Sequence, residues 1–293
     1  MFAHFNDTQK GIFYALIGYT AFAFNDVNAK WLVQSLPQMQ VNCLQALSAA
    51  IFLLLVQRFM GGWKGIDNKK QRPIHILRGF TNFALSVLLV YSFGLLSLAD
   101  IYAMIFTVPF IAVILSRIFY GEFADKASWG AIIVGFIGVL FVLQPGFDMN
   151  IYLLLPLGAA LGVAINAVSA KSLQGASPFL LSFIPLSMTF VLAAPFMLMN
   201  FDPLTARHIF HFALGGVLLS MAITFVSLAF RTAQSHRVTP FLYTEIIWGL
   251  LFGYMIFGDV PNSLMLIGTA IIIASGFFVI LHNHRQMKKA AAQ

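Results

Sequence analysis

Two carboxylates stand where a carboxylate is costly. Glu245 lies inside the apolar stretch TPFLYTEIIWGLLFGYMIFGDVP, Thr239 to Pro261, and Asp26 lies in the polar cluster Asn25-Asp26-Val27-Asn28-Ala29-Lys30. An acidic side chain at the centre of a membrane helix costs about 2.5–3.5 kcal/mol even on lenient insertion scales, so it faces protein or a wet cavity rather than lipid. Phe241, Trp248, Gly249 and Phe252 share or adjoin the helical face of Glu245, and Tyr243 is close by. Such a carboxylate among aromatic rings suits a cation, held by charge and by ring faces. The plainer reading of Glu245 is a protonated carboxyl bonded between helices. In the other cluster Asn25 and Asn28 share a face, and Asp26 and Lys30 have the i, i+4 spacing of a pair. Its plainer reading is a lysine snorkelling to the interface beside asparagines that bond neighbouring helices.

The elements that must position these groups follow from composition. The chain has 293 residues, 60% hydrophobic and 9% charged, with a mean hydropathy of +0.87. That is more apolar surface than a soluble fold of this size can hide. Apolar runs of about 20 residues recur down the chain, the length of a helical crossing, which excludes a barrel of short alternating strands. Ten spans are expected, at 11–32, 38–58, 74–97, 99–119, 127–145, 151–171, 177–199, 208–231, 238–257 and 261–282. Pro109 interrupts a hydrogen bond within the fourth and predicts a kink there.

The net charge of +7 gives orientation rather than a nucleic-acid partner. With these spans, fifteen of the seventeen Lys and Arg residues, Arg78 and Arg117 included, fall on one side, and Lys30 and Arg207 fall opposite. Both termini are therefore expected to be cytoplasmic, in a multi-pass protein of the cell inner membrane. The first run, with Lys10 before it and Ala21-Phe22-Ala23 within it, superficially resembles a cleavable signal sequence. Cys43, the single cysteine, excludes an internal disulfide.

A repeat is written in the spacing. Asn25, Lys30 and Pro37 recur as Asn166, Lys171 and Pro178, each 141 residues on. Gly121-Glu122 recurs as Gly258-Asp259 at 137, and Gly130 and Gly138 recur as Gly268 and Gly276 at 138. The chain thus reads as two five-span units, residues 1–146 and 147–293, the second ending in a short basic tail. An odd number of spans inverts the second unit, an architecture that recurs in secondary transporters. The repeat also argues that the first span is retained, because it has a partner in the sixth.

The sequence resembles the drug/metabolite transporter superfamily, in particular its ten-helix EamA-type members. The residues that carry the resemblance are Leu77-Arg78-Gly79, Tyr91-Ser92-Phe93-Gly94, Leu98-Ala99-Asp100, Thr107-Val108-Pro109-Phe110, Gly121-Glu122 and Gly135-Phe136-Ile137-Gly138-Val139. Ala229-Phe230-Arg231, Val238-Thr239-Pro240-Phe241, Tyr243, Trp248 and Phe257-Gly258-Asp259 continue it through the second half. Two departures stand out: the second span has Gln45 near a position where many relatives carry arginine, and the second Gly-Glu is Gly258-Asp259. The resemblance implies transport of a small organic molecule, such as an amino acid, S-adenosylmethionine or riboflavin, and leaves the substrate open.

The expected site is a cavity among spans one, three, four, six, eight and nine. Its substrate-binding candidates are Glu245, Tyr243, Trp248, Phe241, Tyr91, Tyr102, Phe106, Asn25, Asn28, Asn166 and Ser227. Glu245 and Asp26 are the candidates for carrying a coupling proton, since ionisation is costly for a carboxyl withdrawn from water. The expected substrate is a cationic or zwitterionic metabolite moved by alternating access, with a riboflavin-like vitamin or a drug as the alternative. Phosphorylated substrates are disfavoured because Lys30 alone is expected to bring a positive charge deep into the membrane. No cofactor or metal is expected, and the partners are the substrate, lipid and a proton. An intramembrane enzyme is the first rival, but no His-Glu-x-x-His or Gly-x-Ser-x-Gly pattern is present. A channel is the second, and no filter sequence or ring of like charges is found.

Overall fold

The computed structural model describes residues 6–122, 126–143, 150–238, 241–242, 244–258, 263–264, 266–271, 273–275, 277–278 and 282. Every regular element among them is helical. In chain order the α-helices are α1 (Asp7–Val33), α2 (Gln38–Val56), α3 (Arg72–Leu95), α4 (Leu98–Ile105), α5 (Val108–Tyr120), α6 (Lys126–Leu143), α7 (Leu154–Ser169), α8 (Pro178–Met199), α9 (Ala206–Thr232), α10 (Ser235–Val238) and α11 (Thr244–Phe252). A π-helical turn, Gly253–Phe257, continues α11.

Among the described residues six helical stretches are long and apolar enough to cross a membrane: Gln38–Met60, Arg72–Leu95, Asp100–Tyr120, Ile151–Ser172, Pro178–Met199 and Ala206–Thr232. Trp129–Phe141, Ile247–Phe257 and Leu266–Ser275 are shorter apolar helices. α1 has the length, at 27 residues, but carries the Asn25–Lys30 cluster. The exterior is apolar, with Leu55, Phe59, Ile118, Phe119, Leu198 and Met255 exposed, as befits a protein solvated by hydrocarbon.

Helix ends follow local chemistry. Asn6 caps α1 in a reciprocal arrangement with Gln9, and Thr205 does the same for α9 with His208. α8 begins with Ser177 accepting from Leu180 N and Pro178 at its first turn. The expected fourth span is broken into α4 and α5 at Phe106–Thr107, with Pro109 in the first turn of α5. Proline has no N–H to donate back to Ile105, so the helix restarts there. The expected ninth span is likewise interrupted, as α10, residues 241–242, α11 and the π-helical turn.

The most extensive packing is α1 on α9, α2 on α8, α3 on α7, α2 on α9 and α3 on α8. Glycine sets the first of these. A Cβ on Gly18 would stand 2.9 Å from Val226 N, and one on Gly11 would stand 2.6 Å from Ala233 Cβ, so the backbones of α1 and α9 meet closely. Beyond the end of α5, Glu122 accepts from Lys171 Nζ and from Ser235 N (3.3 Å), tying α5 to the turn after α7 and to the start of α10.

Candidate functional site

The close seat of α1 on α9 turns another stripe of α1 inwards. Tyr19, Phe22, Asn25, Asp26 and Ala29, spaced by three and four, line a central cavity. It offers about 130 Å³ of space to the centres of water-sized spheres. α4 closes it with Ile101, Tyr102 and Ile105, and α11 brings Glu245 in its first turn, 4% exposed. Tyr102 OH donates to Asp26 Oδ2 at 3.1 Å. The tyrosine ring lies where a side chain on Gly249 would be, 2.3 Å from a Cβ built there. Gly249 follows Glu245 by one turn, so a single face of α11 receives Tyr102 and presents the carboxyl. Glu245 and Asp26 lie close enough to feel each other's charge, and Glu245 has no hydrogen bond among the described residues.

At the other end stands Arg78, from the second turn of α3, with its side chain 1% exposed. Its guanidinium donates to the carbonyl of Asn166, to the carbonyl of Leu181 (3.0 Å) and to Ser227 Oγ (2.9 Å), joining α7, α8 and α9. Asn82, one turn on, donates to Thr189 Oγ1 of α8 at 2.9 Å. Asn42 and Gln45 of α2 add amides to the wall, and aliphatic side chains such as Leu89, Val163 and Leu219 fill the remaining walls. Four cavity-lining residues keep a buried polar atom with no partner among the described residues: Asn25 Oδ1, Asn42 Nδ2, Gln45 Nε2 and Arg78 Nε. An unmade buried hydrogen bond costs about 1–3 kcal/mol, and two of these atoms, Gln45 Nε2 and Asn25 Oδ1, lie beside α9, 3.0 and 3.5 Å from the Cβ position of Gly215.

Of the residues expected from the sequence, the cavity gathers Asn25, Asp26, Tyr102, Asn166, Ser227 and Glu245. Phe106 is buried behind Tyr102, its ring stacked at 6.4 Å. Trp248 packs on Phe24 and Phe252 to the side of the cavity, and Phe241 supports the core beside it. Tyr91 is 38% exposed on another face of α3. Asn28 ties α1 to α9 through the carbonyl and Nδ1 of His211, at 3.0 and 2.7 Å. Tyr243 lies outside the described residues.

The expectation that Lys30 alone brings positive charge inwards is corrected. Lys30 Nζ stands 4.6 Å over the Phe257 ring and does not line the cavity, whereas Arg78 does. Arg78 turns inwards because main-chain carbonyls of α7 and α8 accept its protons there. The sequence carried a signal for it: Arg78, Asn82 and Ser86 are polar at i, i+4 and i+8 on one face of an apolar helix. Among the described residues no group of three or more His, Cys, Asp or Glu is placed to hold a metal.

A helical bundle with an apolar exterior and an inner cavity of opposite charges defines a membrane protein built around a polar solute. The chain belongs to the EamA-like transporter family, which matches residues 9–144 and again 150–281, within the drug/metabolite transporter superfamily. It is 25% identical over 291 residues to an S-adenosylmethionine uptake transporter of Rickettsia bellii, covering 97% of this chain and 99% of that one. It is 29% identical over 197 residues to a riboflavin transporter of Rhizobium johnstonii, a match spanning 64% of each. A pseudopaline exporter of Pseudomonas aeruginosa is 21% identical over 272 residues, covering 91% of this chain and 94% of the exporter. A solved crystal structure at 14% identity shares the fold with a TM-score of 0.72, over 96% of this chain and 98% of the other.

Proposed function

We propose that this chain is a secondary transporter that carries a cationic or zwitterionic metabolite, of the S-adenosylmethionine kind, through the central cavity by alternating access. The carrying observation is the buried juxtaposition of Asp26, Glu245 and Arg78 around one cavity in a lipid-facing bundle. Asp26 and Glu245 receive a cationic or hydrogen-bonding group of the solute, and Glu245 exchanges the coupling proton. The near full-length likeness to S-adenosylmethionine uptake transporters favours this substrate class. A riboflavin-like vitamin is the second reading, favoured by the partial likeness to riboflavin transporters.

The architecture we infer is ten helices in two inverted repeats, with both termini on the cytoplasmic side of the inner membrane. The packing supports it. If α1, α2 and α3 correspond to α7, α8 and α9, exchanging the two sets turns α1–α9 into α7–α3 and α2–α9 into α8–α3, and leaves α2–α8 unchanged. These are the five most extensive contacts of the fold, so the two halves use one packing scheme. Such a scheme lets the halves exchange roles and open the cavity to each side in turn.

Proteoliposomes containing the purified protein test the function. Saturable uptake of labelled S-adenosylmethionine, accelerated by unlabelled compound inside, is expected of a carrier. Flux without acceleration identifies a channel, and absence of flux with both S-adenosylmethionine and riboflavin removes both substrate readings.

A further inference from the structure

The charge on Arg78 faces no carboxylate among the described residues. Its acceptors are two carbonyls and a hydroxyl, and Nε has no acceptor. The Asn166 carbonyl belongs to the last turn of α7, where the helix dipole supplies partial negative charge, but not a full counter-ion. A buried cation so placed is costly unless an anion arrives to pair with it. Arg78 lines the cavity, so an anion there sits inside the site rather than beside it.

α9 measures how far this end lies from Asn25 and its neighbour Asp26. Ser227 receives Arg78, and the Cβ position of Gly215 lies 3.5 Å from Asn25 Oδ1, next to Asp26. Those two positions are twelve residues apart on one helix. At 1.5 Å per residue the levels differ by about 18 Å, far more than the few ångströms between the ammonium and carboxylate of one amino-acid headgroup. One compact zwitterion cannot touch both Arg78 and Asp26.

We propose that Arg78 is the anion-binding end of the transport cavity, and that the ligand is an elongated molecule with a carboxylate at Arg78 and a cationic or hydrogen-bonding group at Asp26 and Glu245. A monoanion suits the site, because Arg78 is a single cation and the next residue along its face of α3, Asn82, is neutral and bonded to Thr189. The inference deepens the transport reading and rests on it for the identity of the cavity. The guanidinium already holds α7, α8 and α9 together, so ligand binding at Arg78 is felt by three helices at once.

The test compares S-adenosylmethionine with decarboxylated S-adenosylmethionine, which lacks only the carboxylate. Stabilisation of the purified protein against heat is titrated with each compound for wild type, Arg78→Gln and Arg78→Lys. Wild type is expected to bind the carboxylated compound about tenfold or more tightly than its partner, the usual worth of a charged hydrogen bond. Arg78→Gln is expected to bind the two alike, and Arg78→Lys to keep a weakened preference, because lysine retains the charge but not the fork. Glu245→Gln is expected to weaken both compounds and keep the preference. The proposal is overturned if wild type binds neither compound or both alike, or if Arg78→Gln keeps the full preference, which would leave Arg78 as a helix clamp only. Should the preference stand while proteoliposomes show no flux, the transport reading fails and the assignment of Arg78 holds.

Discussion

Glu245 is buried at a helix start, borders the cavity and shares its neighbourhood with Asp26, so its charge is balanced by whatever enters. Glu245→Gln keeps the shape and removes the charge. A charged hydrogen bond is worth about 1.5–3 kcal/mol, so uptake at low substrate is expected to fall by about 10- to 100-fold, with the response to an imposed pH gradient lost. Tyr102→Phe removes the donor to Asp26 while keeping the ring, and a smaller loss, about fivefold, is expected in the same assay. The sequence made Glu245 and Asp26 legible because an acid within an apolar run is conspicuous. Arg78 was not legible from charge sorting, since an arginine two turns from a helix end can snorkel to water or turn inwards. Which way it goes depends on carbonyls of α7 and α8 that are about a hundred residues away in sequence. The aromatic candidates divided for a similar reason. Tyr102 has a hydroxyl that finds Asp26, whereas Trp248 stacks on Phe252, Phe106 stacks behind Tyr102 and Tyr91 is partly exposed on another face of α3.

The helices position these groups through small residues at a few crossings. Gly249 admits the Tyr102 ring, so Gly249→Leu is expected to expel Tyr102 from Asp26 and stop uptake while leaving a folded, inserted protein, checked by gel filtration in detergent. Gly18 lies against the backbone of Val226, and both sides of that contact are helix. Gly18→Leu is therefore expected to destabilise the bundle by about 2 kcal/mol, typical of overpacking, seen as a lower midpoint of thermal unfolding. The kink expected from Pro109 is present as the break between α4 and α5, because the missing N–H is a local property that a sequence displays directly. The break within the expected ninth span was not foreseen. An apolar run registers length and hydropathy, and it does not register a π-helical turn such as Gly253–Phe257.

At the level of the whole molecule, the displacement of 141 residues between Asn25 and Asn166 has a spatial counterpart. Both asparagines border the same cavity, one from α1 and one from α7. They are used differently: Asn166 offers its carbonyl to Arg78, whereas Asn25 stands beside Asp26 with Oδ1 unpaired among the described residues. The repeat thus supplies the frame, and the charges break its symmetry, acids near one end and a guanidinium near the other. The proposed inverted arrangement places both termini on the cytoplasmic side. With Cys43 replaced by Ala, Lys69→Cys is expected to react with a membrane-impermeant thiol reagent from the cytoplasmic side alone, and Arg207→Cys from the opposite side alone.

The central claim is that the cavity bounded by Asp26, Glu245 and Arg78 opens to each side of the membrane in turn. Ser86 borders that cavity and among the described residues bonds only within its own helix, so Ser86→Cys in a Cys43→Ala background reports on access with little disturbance. Labelling by an impermeant thiol reagent is measured from each face of oriented membranes, with and without S-adenosylmethionine. Reaction from both faces, with substrate changing the two rates in opposite directions or shielding the thiol, is the expected result. Reaction from one face alone, unchanged by substrate, would contradict the account.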